Sequence, residues 1–292
     1  MSPIHPVLFL SLAALPAMAV TTAGFTGGNG AGVDSFPGSA GDGWQGGWSS
    51  LSDKATASAT VVSGAPLNGG GNYLSATSTG DGGGIGVAAW GRRYGAAGGG
   101  VSLSQTQTIS WSFRIDESQS SLNTSFTTGN DRYQFFGTTA VANSSGAANE
   151  WFVFASGDNP SAVPGFVANH WGFYDGGTAG TGFNAGTFVD SGITVAAGQT
   201  YSFNIVSDPL TRTYVGSISI DGSVAFTSDP LKWRNYSTNP SSSGGYFFAG
   251  VSADAAGETR SFSLDDIQVA PEPSSLLLAT AGLLTLGTRR RR

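Results

Sequence analysis

Few residues of this chain could do chemistry. There is no cysteine and only two histidines, His5 and His170, which excludes thiolate chemistry and metal sites that need several imidazoles. A Ser-His-Asp triad would have to use His170, which the segment NHWGFYDGG places in a loop or at a strand edge. Acidic residues two positions apart would share one strand face as an acid and nucleophile pair, but no two acids have that spacing. The sequence therefore predicts no catalytic residue, although carboxylates from different strands could still meet.

The most informative acids are Asp265 and Asp266. The apolar positions change phase at this pair, first Phe262 and Leu264, then Ile267 and Val269. A strand that changes its core-facing phase in this way needs an extra residue, so the pair predicts a β-bulge. The bulge could aim both carboxylates at a calcium ion, or it could let them meet solvent or turn amides. Calcium is the one cofactor considered, and no other is expected.

Aromatic residues in glycine-rich segments are candidates for sugar binding. An exposed aromatic ring can stack on the apolar face of a pyranose, with a nearby carboxylate as hydrogen-bond acceptor. The candidates lie in GDGWQGGW and HWGFYDGG: Trp44, Trp48, Trp171, Tyr174 and Asp175. The alternative is that these rings pack over the end of a core and bind nothing.

The body of the chain has the period-two alternation of half-buried strands. TISWSFRI alternates apolar and polar residues over positions 108–115, and TYSFNI and TYVGSISI repeat the pattern around the turn signal Asp208-Pro209, which predicts a hairpin. WFVFA, residues 151–155, is apolar on both faces and predicts a central strand. A dozen or more such strands, with no convincing helix and no linker over residues 20–270, predict one all-β domain of two packed antiparallel sheets.

The composition agrees with this fold class. The 292 residues include 45 glycines and 18 phenylalanines but only 11% charged residues, which favours many tight turns and a large core. Without cysteine, stability has to come from burial alone. The formal net charge of −6 makes nucleic acid an unfavourable partner, because an acidic surface repels phosphate.

The N-terminus has the pattern of a secretory signal peptide over residues 1–19. VLFLSLAALPAMA is an apolar run broken by Pro16, and Ala17 and Ala19 form a small-x-small cleavage site. This pattern predicts handling by the export translocon. The preceding MSPIHP lacks the usual Lys or Arg, so a buried N-terminal helix is the alternative.

The C-terminus has three parts in order. Pro271, Glu272 and Pro273 come first, then the uncharged apolar segment 274–287 predicts a short helix, and the chain closes with Arg289, Arg290, Arg291 and Arg292. An arginine cluster of this kind stays on the cytoplasmic side of a membrane. Residues 271–292 resemble the PEP-CTERM sorting signal of Gram-negative bacteria. The resemblance implies transient anchoring in the inner membrane and cleavage by an exosortase-type membrane protease, whereas the alternative is a plain tail anchor.

A second resemblance concerns the body. GGYFFAGVSADAAGETRSFSLDDIQV resembles the closing strands of concanavalin A-like (legume-lectin or laminin-G-like) jelly rolls, and TYSFNIVSDPLTRTYVGSISIDG resembles their central hairpin. FPGSAGDGWQGGW resembles the opening segment of sandwich proteins with PEP-CTERM tails. The resemblance implies a jelly-roll sandwich and says little about a ligand.

Three functions are compatible with these features. The first is a non-catalytic cell-envelope or extracellular-matrix protein, associated with exopolysaccharide and exported to the outer surface of a Gram-negative bacterium. The second is a lectin-like module that binds polysaccharide, which predicts an exposed Trp44, Trp48 or Trp171. The third is a divergent glycoside hydrolase or lyase, which predicts two carboxylates converging in a cleft. The sequence favours them in that order and predicts that the protein is not an enzyme.

Overall fold

The computed structural model describes residues 20–33, 36, 43–64, 67, 71–82, 86–95, 101–116, 131–138, 149–157, 163–177, 186–236, 244–253 and 256–272. Sixteen strands make up the regular structure of these residues: β1 Thr21–Ala23, β2 Gln45–Asp53, β3 Ala55–Ser63, β4 Asn72–Gly80, β5 Gly86–Arg93, β6 Gln107–Ile115, β7 Arg132–Thr138, β8 Asn149–Ser156, β9 His170–Asp175, β10 Thr187–Thr194, β11 Thr200–Asp208, β12 Thr213–Ile220, β13 Ser223–Thr227, β14 Leu231–Lys232, β15 Tyr246–Ala253 and β16 Thr259–Pro271.

The strands form two antiparallel sheets. The nine-stranded sheet has the order β13-β12-β11-β6-β16-β4-β3, with β1 added beside β16 and β14 beside β12. The seven-stranded sheet has the order β10-β9-β8-β7-β15-β5-β2. The predicted all-β sandwich is therefore confirmed, and no helix occurs in the described residues.

The local patterns explain why these segments are strands. Buried and half-buried residues alternate along the whole of β6, as the period of two in TISWSFRI predicts. The predicted hairpin is also confirmed, since β11 and β12 pair in register from Tyr201 opposite Ile220 to Asp208 opposite Thr213. All eight residues of β8 are buried, which confirms the central position expected for WFVFA.

The core lies between the two sheets and is built from aromatic rings. Trp111 of the nine-stranded sheet stacks on Trp151 of the seven-stranded sheet at 5.5 Å and on Phe203 at 5.1 Å between ring centroids. Phe113 meets Phe135 edge-on at 4.9 Å. Each large side chain buried in this way contributes roughly 1.5–3 kcal/mol to folding, which is how a chain without disulfides can stabilise so large a sandwich.

Both terminal signals fall mostly outside the described residues. The signal peptide with Ala17 and Ala19 lies there, as do Pro273, the expected helix 274–287 and the four terminal arginines. Within the described ranges, no helix has the length and apolar character needed to cross a membrane.

Candidate functional site

The tryptophans of the glycine-rich segment are buried. Trp48 belongs to β2 and stacks on Phe25 at 5.6 Å, while Trp44 lies edge-on to Tyr94 at 6.2 Å and carries the Arg92 guanidinium 5.3 Å above its ring. Only 7% of Trp44 and 4% of Trp48 are exposed. The exposed sugar-binding platform considered at these two residues is therefore wrong, because Phe25 packs on Trp48 while Trp48, Tyr94 and Arg92 pack around Trp44.

The second set of sugar-binding candidates is divided between the two faces of β9. Trp171 faces the inter-sheet core, 5.0 Å from Phe203, and is fully buried. Tyr174 is also buried and packs against Phe188 at 5.3 Å on the other face, where burial raises the pKa of its phenol. The Asp175 carboxylate accepts a hydrogen bond from the Lys232 amide at 2.8 Å. These residues do not form one exposed surface, so the predicted platform fails here too.

An aromatic row that the sequence analysis missed crosses the outer face of the seven-stranded sheet. Adjacent ring centroids along the row lie 5.2–5.8 Å apart, and all five rings are buried: Phe248, Phe136, Phe152, Phe154 and Phe188. Period two explains the row, because these residues alternate with core-facing ones along their strands. The apolar character of both faces of WFVFA was the available signal.

A small pocket lies at one end of this row. Phe154, Phe166 and Phe188 form its apolar walls, and His170 stands at its rim with Nδ1 2.9 Å from Asp190 Oδ1. The Asp190 carboxylate also accepts a hydrogen bond from the Gly192 amide at 2.9 Å, which fixes its orientation. The space that a water-sized sphere can occupy in it amounts to about 10 Å³. The arrangement combines apolar rings with a half-buried imidazole and carboxylate, and it can bind a small group with one apolar side and one polar side.

Gly172 opens this pocket. It lies on β9 between Phe154 and Phe188 and has no side chain to fill the gap. An added Cβ would lie 3.4 Å from the Val189 carbonyl oxygen and 3.7 Å from Phe188 Cδ1, which is ordinary contact. The sequence places His170 at a strand edge, and it does begin β9. Its partner Asp190 comes from the adjacent strand β10, which the sequence analysis did not predict.

Two carboxylates of the described residues come together around a buried arginine, where their role is structural. Asp131 and Glu258 both bind the Arg260 guanidinium, with Asp131 Oδ2 3.0 Å from Nη2. The Arg260 and Asp131 side chains are 1% and 0% exposed. Because a buried cation holds the two acids together, this cluster differs from the open acid pair expected of a glycosidase.

The predicted bulge at Asp265 and Asp266 is confirmed. The pairing of β16 with β6 shifts register between Asp265 and Gln268, and Asp266 has a φ of 51°. The bulge buries Asp265 and leaves Asp266 exposed. In the part of the chain that is described, no group of three or more acidic, histidine or cysteine side chains is placed to hold a metal. Calcium at this pair stays a prediction.

The last described residues continue β16 into the tail. Pro271 lies opposite Gln107 of β6, and the Glu272 amide donates a hydrogen bond to the Thr106 carbonyl at 2.9 Å. The Thr108 hydroxyl donates to the Glu272 carboxylate. Of the Pro-Glu-Pro sequence, Pro271 is thus paired with β6 and Glu272 is hydrogen-bonded to the sandwich.

The comparison with protein families identifies the tail. Residues 269–292 match the family model described as the PEP-CTERM protein-sorting motif. The chain carries a PEP-CTERM sorting motif. The motif implies an exported protein that an exosortase sorts, as the resemblance predicted. A search of curated proteins finds no match to the chain.

The sandwich is similar to several solved structures. Peanut lectin is 12% identical, with 78% of this chain and 99% of the lectin covered at a TM-score of 0.44. The lumenal domain of VIP36, in a form bound to Ca²⁺ and Man3GlcNAc, is 6% identical over 78% of this chain and 84% of its own, at 0.45. A glycoside hydrolase family 131 catalytic domain from Coprinopsis cinerea is 11% identical over 74% and 78%, at 0.44.

Proposed function

We propose that this protein is a non-catalytic component of the cell envelope or extracellular matrix, associated with exopolysaccharide at the outer surface of a Gram-negative bacterium. The observation that carries the proposal is a PEP-CTERM motif joined directly to the last strand of a densely packed sandwich. The export translocon delivers the chain, the C-terminal helix anchors it transiently in the inner membrane, and an exosortase-type protease releases it.

The use of the acidic residues supports a role without catalysis. Six of the described carboxylates bind groups of the fold itself: Asp116 binds Arg114 and Ser263, Asp131 and Glu258 bind Arg260, Glu150 binds the Gly244 amide, Asp175 binds the Lys232 amide, and Asp208 binds the Leu210 amide and Thr211. A carboxylate held in such bonds is poorly placed to transfer a proton to a substrate.

The proposal predicts where the full chain accumulates in cells that contain an exosortase. We expect the unaltered chain in the matrix fraction in a form shorter than the precursor, and the Glu272→Ala variant at precursor length in the membrane fraction. Asp229→Ala is the control, because this acid is exposed and lies far from the motif in sequence. Immunoblots of cytoplasm, membrane, matrix and medium measure the distribution. An unaltered chain found mainly in the cytoplasm, or released to the medium without matrix association, contradicts the proposal.

The pocket beside His170 favours a second candidate function, binding of a polysaccharide. Its walls suit the apolar side of a sugar or an apolar substituent, and the His170 and Asp190 pair can exchange hydrogen bonds with hydroxyls. A volume of about 10 Å³ is roughly what one water molecule needs. It therefore fits only one small substituent of a sugar unit, and affinity would come from repeated units along a chain.

Filling the pocket tests this candidate. We expect Gly172→Ala to weaken glycan binding roughly tenfold, the effect of about 1.4 kcal/mol of lost contact, with the fold unchanged. Gly24→Ala is the matched control, because an added Cβ there meets nothing within 4 Å. A glycan array probed with the full chain in mild detergent, with and without calcium, measures binding. Equal binding by both variants, or no binding by the unaltered chain, removes this candidate.

A further inference from the structure

The sorting motif begins inside the fold. Strand β16 extends to Pro271, and two hydrogen bonds hold the next residue: the Glu272 amide donates to the carbonyl of Thr106, the residue before β6, and the Thr108 hydroxyl of β6 donates to the Glu272 carboxylate. Both Pro271 and Glu272 are partly buried. A flexible linker would leave these groups to water. The Pro-Glu pair is therefore an ordered extension of the sandwich.

The strand that holds the motif is itself fixed. β6 lies in the middle of the nine-stranded sheet between β11 and β16, and Trp111 anchors it in the core. At the end nearest the motif, Gln107 is buried and its amide donates to the Ser102 carbonyl at 2.8 Å. On the other side of β16, β1 pairs as far as Val269 opposite Thr21. Freeing Glu272 thus requires the end of β16 to leave β6, because β6 cannot move away.

We propose that the folded sandwich withholds the Pro-Glu pair from the processing protease, and that Thr106 and Thr108 compete with that protease for Glu272. A protease or receptor that takes an extended segment uses the segment's backbone amides and its side chains. Here the amide and carboxylate of Glu272 already bind Thr106 and Thr108. Cleavage therefore occurs before the sandwich closes or while the end of β16 is detached. This inference rests on the proposed processing by an exosortase-type protease.

Thr108 is the residue to substitute, because its side chain donates the hydrogen bond to the Glu272 carboxylate. Its hydroxyl donates to an ionised carboxylate, a stronger type of bond than one between neutral groups. Valine has nearly the same shape and a high preference for strands, so Thr108→Val removes the donor and keeps β6 intact. Thr77→Val is the matched control. Thr77 is a half-buried threonine of the same sheet whose hydroxyl lies 2.8 Å from that of Ser58, away from the motif.

The experiment is a pulse-chase of the full chain in exosortase-containing cells. We expect Thr108→Val to be processed roughly tenfold faster than the unaltered chain, the effect of one lost charge-assisted hydrogen bond, and Thr77→Val at the unaltered rate. A second variant with six Gly and Ser residues inserted between Ala270 and Pro271 moves the motif off β6 and should also be processed faster. Unchanged processing of both Thr108→Val and the insertion variant would overturn the inference.

Hydrogen exchange separates this inference from the proposed function. In the purified full chain the Glu272 amide should exchange more slowly than in denaturant, and the insertion variant should lose that protection. If the Glu272 amide exchanges at the unfolded rate, the fold does not withhold the Pro-Glu pair, and the inference is overturned whatever the result of the pulse-chase. If the amide is protected but no variant is processed in cells, the result contradicts the proposed cleavage by an exosortase-type protease. The proposed competition of Thr106 and Thr108 with that protease is then contradicted as well.

Discussion

Replacing Arg260 with leucine should lower the free energy of unfolding by about 3–5 kcal/mol. The substitution leaves the Asp131 carboxylate fully buried without the guanidinium that now lies 3.0 Å away, and Glu258 loses the same partner. A buried charge that loses its counter-ion is costly, because the protein interior cannot replace the water that solvates it in the unfolded chain. Urea denaturation of the full chain at pH 7, followed by tryptophan fluorescence, measures the change.

Arg114→Leu is the control for this prediction. Arg114 forms an ion pair with Asp116 of similar length, 2.8 Å, but the two side chains are 30% and 22% exposed. An ion pair open to water contributes only about 0–1 kcal/mol, so the control should change stability little. The double variant Arg260→Leu with Asp131→Leu should recover much of the loss, because it removes the stranded charge. Equal effects of Arg260→Leu and Arg114→Leu would contradict the argument from burial.

The strands could be predicted because their signal is local. In β6 the alternation of residues 109, 111, 113 and 115 with polar neighbours fixes both the strand and its buried face. The bulge at Asp265 was predictable for the same reason, since a change of phase is visible in the eight consecutive residues 262–269. In each case the two-residue period of a β-strand is visible in the local sequence.

The surroundings of the tryptophans could not be predicted from local sequence. The glycines around Trp44 and Trp48 suggest an exposed loop, but Trp48 lies in β2 and contacts Phe25, which is 23 residues earlier in the chain. Similarly, the alternation around Trp171 shows that it faces one side of β9 but not which side is covered. Burial of a ring depends on which distant segment packs over it, and no short pattern encodes that.

The pocket beside His170 and the contact of Glu272 with Thr108 could not be predicted from the sequence for a related reason. His170 meets Asp190 only because β10 pairs with β9, and Glu272 meets Thr108 across 164 positions of sequence. The sequence places a boundary after Ala270, since the Pro-Glu-Pro motif begins at Pro271. The structure extends β16 through Pro271, where the missing N–H does no harm because the β6 pairing continues with the Glu272 amide. Long-range pairing decides both features.

The buried carboxyl at the bulge should make the protein less stable as the pH rises. Burial, and secondarily the charge of Asp266, raise the pKa of Asp265 from 3.8 to about 7, while a hydrogen bond from the Asp266 amide opposes the shift. Between about pH 4 and pH 7 the folded chain holds this proton and the unfolded chain does not. Unfolding therefore releases a proton, so stability from this group falls through that window and is constant above about pH 7.

The Asp265→Asn variant isolates this effect. Asn cannot ionise and keeps an oxygen for the Asp266 amide, so we expect a stability gain at pH 8 of up to about 4 kcal/mol and almost none near pH 4. Asp265 is only 3% exposed, and its Oδ1 finds no hydrogen-bond partner among the described residues, so no bond to that oxygen in the fold offsets the cost of its charge. Urea titrations at half-unit pH intervals measure the difference between the two chains.

The neighbouring acid supplies the control for this titration. Asp266 is exposed with a φ of 51°, a backbone conformation that Asn tolerates as well as Asp does, so Asp266→Asn should change stability by less than about 0.5 kcal/mol. A loss of stability in Asp265→Asn at pH 8 would mean that the carboxylate is ionised and bonded in the fold. A loss that appears only when calcium is added, because calcium stabilises the unaltered chain and not the variant, would support the predicted cation site at the bulge, since a metal ligand must be deprotonated. Asp265→Asn should therefore raise the stability at pH 8 if Asp265 is protonated in the fold, and lower it if Asp265 binds calcium.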